Sequence, residues 1–292
     1  MSKNRIGVVL STFLSVVISL TLTAQSARAA QFKTIDGPNA FETDCNDINN
    51  ANTIVGFYID NNGGTHGFAL INNQFKTVNV PHATATLLYG LNNKGKAVGW
   101  YTDSSSVTHG FVTDAQLHVT TIDPPGSILT NAWSINDAGV IVGAYVDSSG
   151  VYHGFSLTNG TYTTYNAPGG SILTEFTGIN NHGIMVGIFD DSSGVEHGFG
   201  LASGHFVQID DPNANGVVTA TDRINDSEEY VGLWGTSTSG PFSGYTAKNN
   251  HFTTVMYPNS LETRVRGLNN GGNIVGRYTD QNGGLHGFVA TP

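Results

Sequence analysis

A unit of about 44 residues recurs six times along the chain, and this limits the possible folds more than any other feature. The triplet Ile/Leu-Asn-Asn/Asp stands at Ile48-Asn49-Asn50, Leu91-Asn92-Asn93, Ile135-Asn136-Asp137, Ile179-Asn180-Asn181, Ile224-Asn225-Asp226 and Leu268-Asn269-Asn270. Successive spacings are 43, 44, 44, 45 and 44 residues. Each first Asn is preceded at a fixed distance by a threonine (Thr43, Thr86, Thr130, Thr174, Thr219, Thr263). Each is followed by a Val-Gly pair ending at Gly56, Gly99, Gly143, Gly187, Gly232 or Gly276. A His-Gly-Phe triplet follows at His66, His109, His153, His197 and His286, and the fifth unit lacks it. Each unit must bury its apolar face on its neighbours, which is how tandem repeats form a shared core.

Within a unit the pattern is that of short strands separated by turn residues. In the third, Thr130–Ile135 ends at Asn136-Asp137-Ala138-Gly139, and the β-branched run Val140–Val146 ends at Asp147-Ser148-Ser149-Gly150. His153–Leu157 and Tyr162–Tyr165 complete four strands, and helical periodicity is absent. Four antiparallel strands per repeat, six times, predict an all-β, six-bladed β-propeller. If Val-Gly-x-Tyr and His-Gly-Phe form a hairpin, Tyr145 faces His153 and Gly143 faces Phe155. The same register pairs Gly56 with Phe68, Gly99 with Phe111, Gly187 with Phe199, Gly232 with Tyr245 and Gly276 with Phe288. Blade five keeps it by setting Trp234 against Ser243. The sixth unit runs out at Phe288-Val289-Ala290-Thr291-Pro292 without a fourth strand. The missing Phe-x-Thr-Ile pattern stands at Phe32-Lys33-Thr34-Ile35, so the N-terminal strand is expected to complete the last blade and close the ring.

Ahead of the repeats, Lys3 and Arg5 precede an apolar run from Ile6 to Leu22 and the small-residue stretch ending Ala27-Arg28-Ala29. This is the pattern of a secretory signal peptide cut after Ala29, leaving residues 30–292 as one domain. No later segment reads as a membrane span. Export puts Cys45, the one cysteine, in an oxidising compartment where it can form no intramolecular disulfide; its repeat position is otherwise mostly apolar, so a buried, inert thiol is expected. With 12 Lys and Arg against 22 Asp and Glu, the net charge of −10 argues against a nucleic-acid or anionic-membrane partner. Hydrophobic residues at 39% suffice for a core, and a monomer is expected.

The Ile-Asn-Asp-x-Gly, Val-Gly-x-Tyr and His-Gly-Phe elements resemble the probable extracellular repeat family called HAF, after its His-Ala-Phe triplet. Gly replaces the Ala in every copy here, and the fifth blade lacks the His. The resemblance covers nearly all of residues 32–290. It implies an exported bacterial protein of propeller-like fold, and it brings no assigned catalytic residue.

Residues repeated in a symmetric array are read as structural, so function is sought where the repeats differ. The triplet histidines fall on the third strand, roughly 9–10 Å outward of the innermost one, so opposite copies cannot share an ion. The loop acids Asp60, Asp103, Asp147, Asp190, Asp191 and Asp280 read as turn caps, with Ca²⁺ the weaker alternative, and no cofactor is expected. Innermost strands converge on the axis, and there the units diverge. One position after each threonine stand Asp44, Leu87, Asn131, Glu175, Ala220 and Arg264. Two further on, on the same face by strand alternation, stand Asn46, Tyr89, Trp133, Thr177, Asp222 and Arg266. The candidate site at the channel mouth is therefore Asp44, Asn46, Tyr89, Asn131, Trp133, Glu175, Asp222, Arg264 and Arg266. Trp133 and Tyr89 are expected to stack on sugar faces, with Asn131, Asp44 and Glu175 taking hydroxyl hydrogen bonds. The competing reading pairs Arg264 and Arg266 with Asp222 and Asp44. No Gly-x-Ser-x-Gly elbow, His-Glu-x-x-His helix, phosphate loop or dinucleotide fingerprint is present. The sequence thus points to a secreted module, extracellular or periplasmic, binding a carbohydrate or other polar ligand. The alternatives are a propeller enzyme of lyase, lactonase or hydrolase type, or a structural surface protein.

Overall fold

A computed structural model of the chain describes residues 30–169 and 171–292; the expected leader and its cut after Ala29 lie outside the described residues. Six four-stranded antiparallel blades follow one another around an axis. Their innermost strands are Ala40–Ile48, Ala85–Leu91, Ser127–Ile135, Leu173–Ile179, Val218–Ile224 and Glu262–Leu268. The expected hairpin register holds in all six: Tyr145 lies opposite His153, Gly143 opposite Phe155, and Trp234 opposite Ser243. The ring closes as read. Gln31–Ile35 pairs antiparallel with Leu285–Thr291, setting Phe32 opposite Ala290 and Ile35 opposite Gly287.

The glycine of the Val-Gly pair has a tighter reason than the ring opposite it. A Cβ on Gly143 would lie 2.8 Å from the Phe155 ring and collide outright with the carbonyl of Asn131 on the innermost strand. That ring and its equivalents Phe68, Phe111, Phe199, Phe288 and Tyr245 are fully buried, and they centre the apolar layers between blades.

The repeated threonine and the triplet Asn-Asn/Asp hold the joins between units. The threonine hydroxyls of Thr43, Thr86, Thr174, Thr219 and Thr263 accept the backbone N–H of the incoming connection, at 2.9–3.1 Å. The first Asn of each triplet accepts, through its Oδ1, the N–H four residues on. Its Nδ2 donates to the backbone carbonyl of the corresponding Asn in the next blade, and the sixth returns to Asn49. A second ring forms as each backbone N–H at the next position donates to the side chain one blade on, from Asn50 to Asn93 and finally from Asn270 back to Asn50. The triplet is thus a turn and an inter-blade staple at once, which satisfies polar backbone where strands end near the axis.

The triplet histidines are bonded within their own blades, as expected. His153 reaches Asn166 at 2.7 Å through Nδ1 and Asp147 at 3.1 Å through Nε2, and its ring packs on Tyr145. Asp147 Oδ1 also accepts the N–H of Ser149 and Val151, so the loop acid caps its turn. Asp60, Asp103, Asp191 and Asp280 repeat this. Asp190 departs from the expectation: it ends the second strand of blade four opposite Glu196, and Asp191 makes the turn. Cys45 is fully buried, and burial pushes its thiol well up.

Candidate functional site

Strand alternation does not run unbroken along the innermost strands. Each carries a β-bulge, at Asn46, Tyr89, Trp133, Thr177, Asp222 and Arg266. Beyond it the ladder resumes one residue late: Asp44 pairs with Phe57 and Asp47 with Val55, so Asp47 shares the face of Asp44. The post-bulge positions are Asp47, Gly90, Ser134, Gly178, Arg223 and Gly267. Where three blades offer glycine, Arg223 crosses the axis. Its guanidinium donates to the bulge carbonyls of Tyr89, Thr177 and, at 3.0 Å, Trp133, while Nε lies 3.4 Å from Asp47 Oδ2. Asp47 in turn accepts the N–H of Leu91 and Ile48. The central opening expected from sequence is therefore plugged by a buried ion pair, and sequence reading missed both members. An Arg in a lane of glycines was the available signal.

Above the plug, where the innermost strands begin, the wall is divided by chemistry. On the side of blades one to three it is aromatic. Tyr89 stacks on Trp100 at 3.8 Å between ring centroids, and Trp133 meets both edge-on at 4.6 and 4.8 Å. Tyr89 is thus engaged in packing rather than offered to a ligand. Asp44 lies 3.6 Å from Arg277, and Asn46 Nδ2 donates to the Leu88 carbonyl at 2.8 Å. Those two, with Tyr89 and Asn131, stand outside the cavity described next.

That cavity, of about 340 Å³, opens over the innermost strand of blade five between blades four and six. It brings together the other five candidates, Trp133, Glu175, Asp222, Arg264 and Arg266, with two carboxylates the sequence reading did not place there, Asp190 and Glu196. The position of Glu196 reads Thr65, Thr108, Tyr152, Glu196, Phe242 and Leu285 around the ring. Extending the divergence test to the third strand would have found it. Of the expected ion pairs, Arg266–Asp222 forms at 3.1 Å, whereas Arg264 binds Glu262 at 2.6 Å instead of Asp44 and lies over the Phe242 ring at 4.6 Å. Asp222 is 5% exposed, and its Oδ2 has no partner among the described residues.

Burial dominates the electrostatics. It pushes Glu175, 8% exposed, up to about 7, with the neighbouring charges of Glu196 and Asp190 adding to the effect. Glu196 is likewise raised to about 7 by burial, then by Asp190 and Asp222, with Arg266 and Arg264 opposing. A carboxyl raised from 4.5 favours the folded state while protonated and loses that contribution as pH climbs through the folded value. Glu175→Gln is thus expected to melt close to the parent at pH 5 and above it at pH 8, by on the order of 3 kcal/mol of stability. Melting curves at both pH values check this; a difference that does not grow with pH would remove the buried-carboxyl reading. Among the described residues, no three His, Cys, Asp or Glu side chains are grouped to hold a metal ion.

No protein-family model matches the sequence, and neither does any curated protein sequence. Solved structures do match in shape. A mutant lectin of Aleuria aurantia, in complex with Fucα1-6GlcNAc, superposes with a TM-score of 0.54 at 10% identity, over 87% of this chain and 93% of that one. AofleA of Arthrobotrys oligospora gives 0.56 at 9%, over 89% and 86%. TolB of Acinetobacter baumannii gives 0.56 at 10%, over 81% of this chain and 63% of its own. At such identities the likeness is one of architecture. The Aleuria lectin is described as a six-bladed β-propeller, and the six blades counted here make this chain one as well.

Proposed function

We propose that the protein is a secreted bacterial binding module whose upper cavity takes a carbohydrate. The observation that carries this reading is the cavity over blade five. It is the place where the repeats cease to be alike, and it joins the Trp133 indole and an apolar wall to carboxylates that the protein itself does not pair. A pyranose needs that combination, an apolar face to lie on and fixed acceptors for its hydroxyls. The fold likeness to the fungal lectin of Aleuria aurantia, in complex with Fucα1-6GlcNAc in one structure, agrees with it. The leader read in residues 1–29 supports export.

A second reading is favoured by one observation: Glu175 and Glu196 both titrate near neutrality, where a carboxyl serves as general acid or base. Isothermal titration against a panel of soluble oligosaccharides, with the products followed over time, separates the two. Binding without turnover, lost at least tenfold in Trp133→Ala, is the expected result. Turnover abolished by Glu175→Gln would replace the binding module with an enzyme. Silence across the panel would remove both and leave a structural surface protein.

A further inference from the structure

Among the described residues, the acids that approach the axis are, with one exception, matched by the protein's own cations. Asp47 has Arg223, Asp222 has Arg266, Glu262 has Arg264, and Glu42 and Asp44 share Arg277. The exception is one face of blade four. Asp190 lies directly opposite Glu196 on the adjoining strand, and Glu175 sits diagonally across the sheet, opposite Ile188. Such positions bring side chains within reach of one another, and like charges set this way destabilise a sheet. Among the described residues, none of the three carboxyls has a cation within ion-pair distance or accepts a hydrogen bond. All three line the cavity, as does Asp222, whose Oδ2 is buried without a hydrogen-bond partner among the described residues. The two arginines nearby are each bonded to another carboxylate and lie beyond ion-pair distance of all three, easing the charge of Glu196 only from further off.

One buried and two half-buried carboxyls set side by side are costly in the charged state, and the cost is met either by protonation, towards which Glu175 and Glu196 are already shifted, or by a ligand that brings the opposite charge. The geometry points to a ligand bearing a primary ammonium group, an amino sugar whose nitrogen seats among Glu175, Asp190 and Glu196. This deepens the carbohydrate reading and rests on it. An ammonium offers three donors in tetrahedral array, which suits several separate carboxylates better than the planar fork of a guanidinium. The sugar body would lie towards Trp133 and the apolar side chains Val218 and Leu233. An N-acetylated sugar of the same linkage has the same ring and hydroxyls but no charge, so it isolates the contribution of the amine.

The test is titration of the folded domain with a β-1,4-linked glucosamine tetramer, its N-acetylated counterpart and CaCl₂, all at pH 7. The amine-bearing tetramer should bind at least tenfold more tightly than the acetylated one and weaken as salt is raised. The double variant Glu175→Gln/Glu196→Gln should lose that preference while melting no lower than the parent, which shows that it folds. Acetylated sugar binding as well as or better than the amine, with Trp133→Ala abolishing it, would overturn the ammonium site and leave the carbohydrate reading standing. Binding of Ca²⁺ alone would overturn the ammonium site in favour of a cation site on the same carboxylates. No binding in any arm would overturn the ammonium site, and the oligosaccharide panel then decides the carbohydrate reading.

Discussion

A chain that begins at Gly37, and so lacks the closing strand, is expected to lose its closed propeller. Gln31–Ile35 supplies the fourth strand of the last blade, and Ile35 is buried against Cys45, Tyr58 and Phe68. Phe32 packs edge-on against Tyr257 at 5.3 Å and lies 5.7 Å from Phe288. Thr34 Oγ1 bonds the hydroxyls of Tyr257 and Tyr278, and Asp36 meets His286 at 2.9 Å. Burial of two large apolar side chains contributes about 1.5–3 kcal/mol each. Losing them exposes Leu285–Thr291 as an open sheet edge, a surface that recruits other chains. Light scattering after gel filtration should show oligomers or aggregate where the parent runs as one species, and melting should fall by roughly ten degrees or more. A peptide of residues 30–36 added in trans should restore the parent's elution. A shortened chain that elutes as the parent does, with unchanged melting, would mean that the first strand only decorates the last blade.

Removing the axial plug should be nearly as severe. Arg223→Met leaves Asp47 buried and uncompensated, and it withdraws the donor that gathers the carbonyls of Tyr89, Trp133 and Thr177. Breaking one member of a buried ion pair costs about 3–5 kcal/mol. In a domain of this size that is roughly ten degrees of melting temperature. Arg223→Met/Asp47→Leu removes both charges and should recover at least half of the loss, since the penalty lies in the orphaned carboxylate. A single variant that melts within two degrees of the parent would show that the pair contributes little. A double variant worse than the single would show that the guanidinium acts through its carbonyl contacts, not through charge.

Much of the molecule was legible because symmetry repeats the same physical problem six times. The Val-Gly and His-Gly-Phe elements fix the hairpin register wherever they occur, since only glycine fits beneath the ring and beside the innermost carbonyl. Closure followed from a strand missing at one end and present at the other. The triplet Asn-Asn/Asp was recognisable as a turn, but its role as a staple was not, because its partner is a backbone carbonyl one blade away. The candidate site was only half legible. Divergence at the innermost strand identified Trp133, Glu175, Asp222, Arg264 and Arg266 as cavity residues. It also drew in Asp44, Asn46, Tyr89 and Asn131, which structure places elsewhere, and it omitted Glu196 because the third strand was left untested.

Local pattern by itself determined the strand order, the register, the number of blades and the ring, because each depends on contacts between residues at a constant separation. Which acids are neutralised was decided by tertiary structure alone. A bulge in each innermost strand breaks the two-residue period, turns Asp47 and Arg223 to the axis, and carries Arg266 to Asp222. The carboxylates of blade four are left without a cation because no arginine from another blade reaches them, and that distance is set by the packing of whole blades.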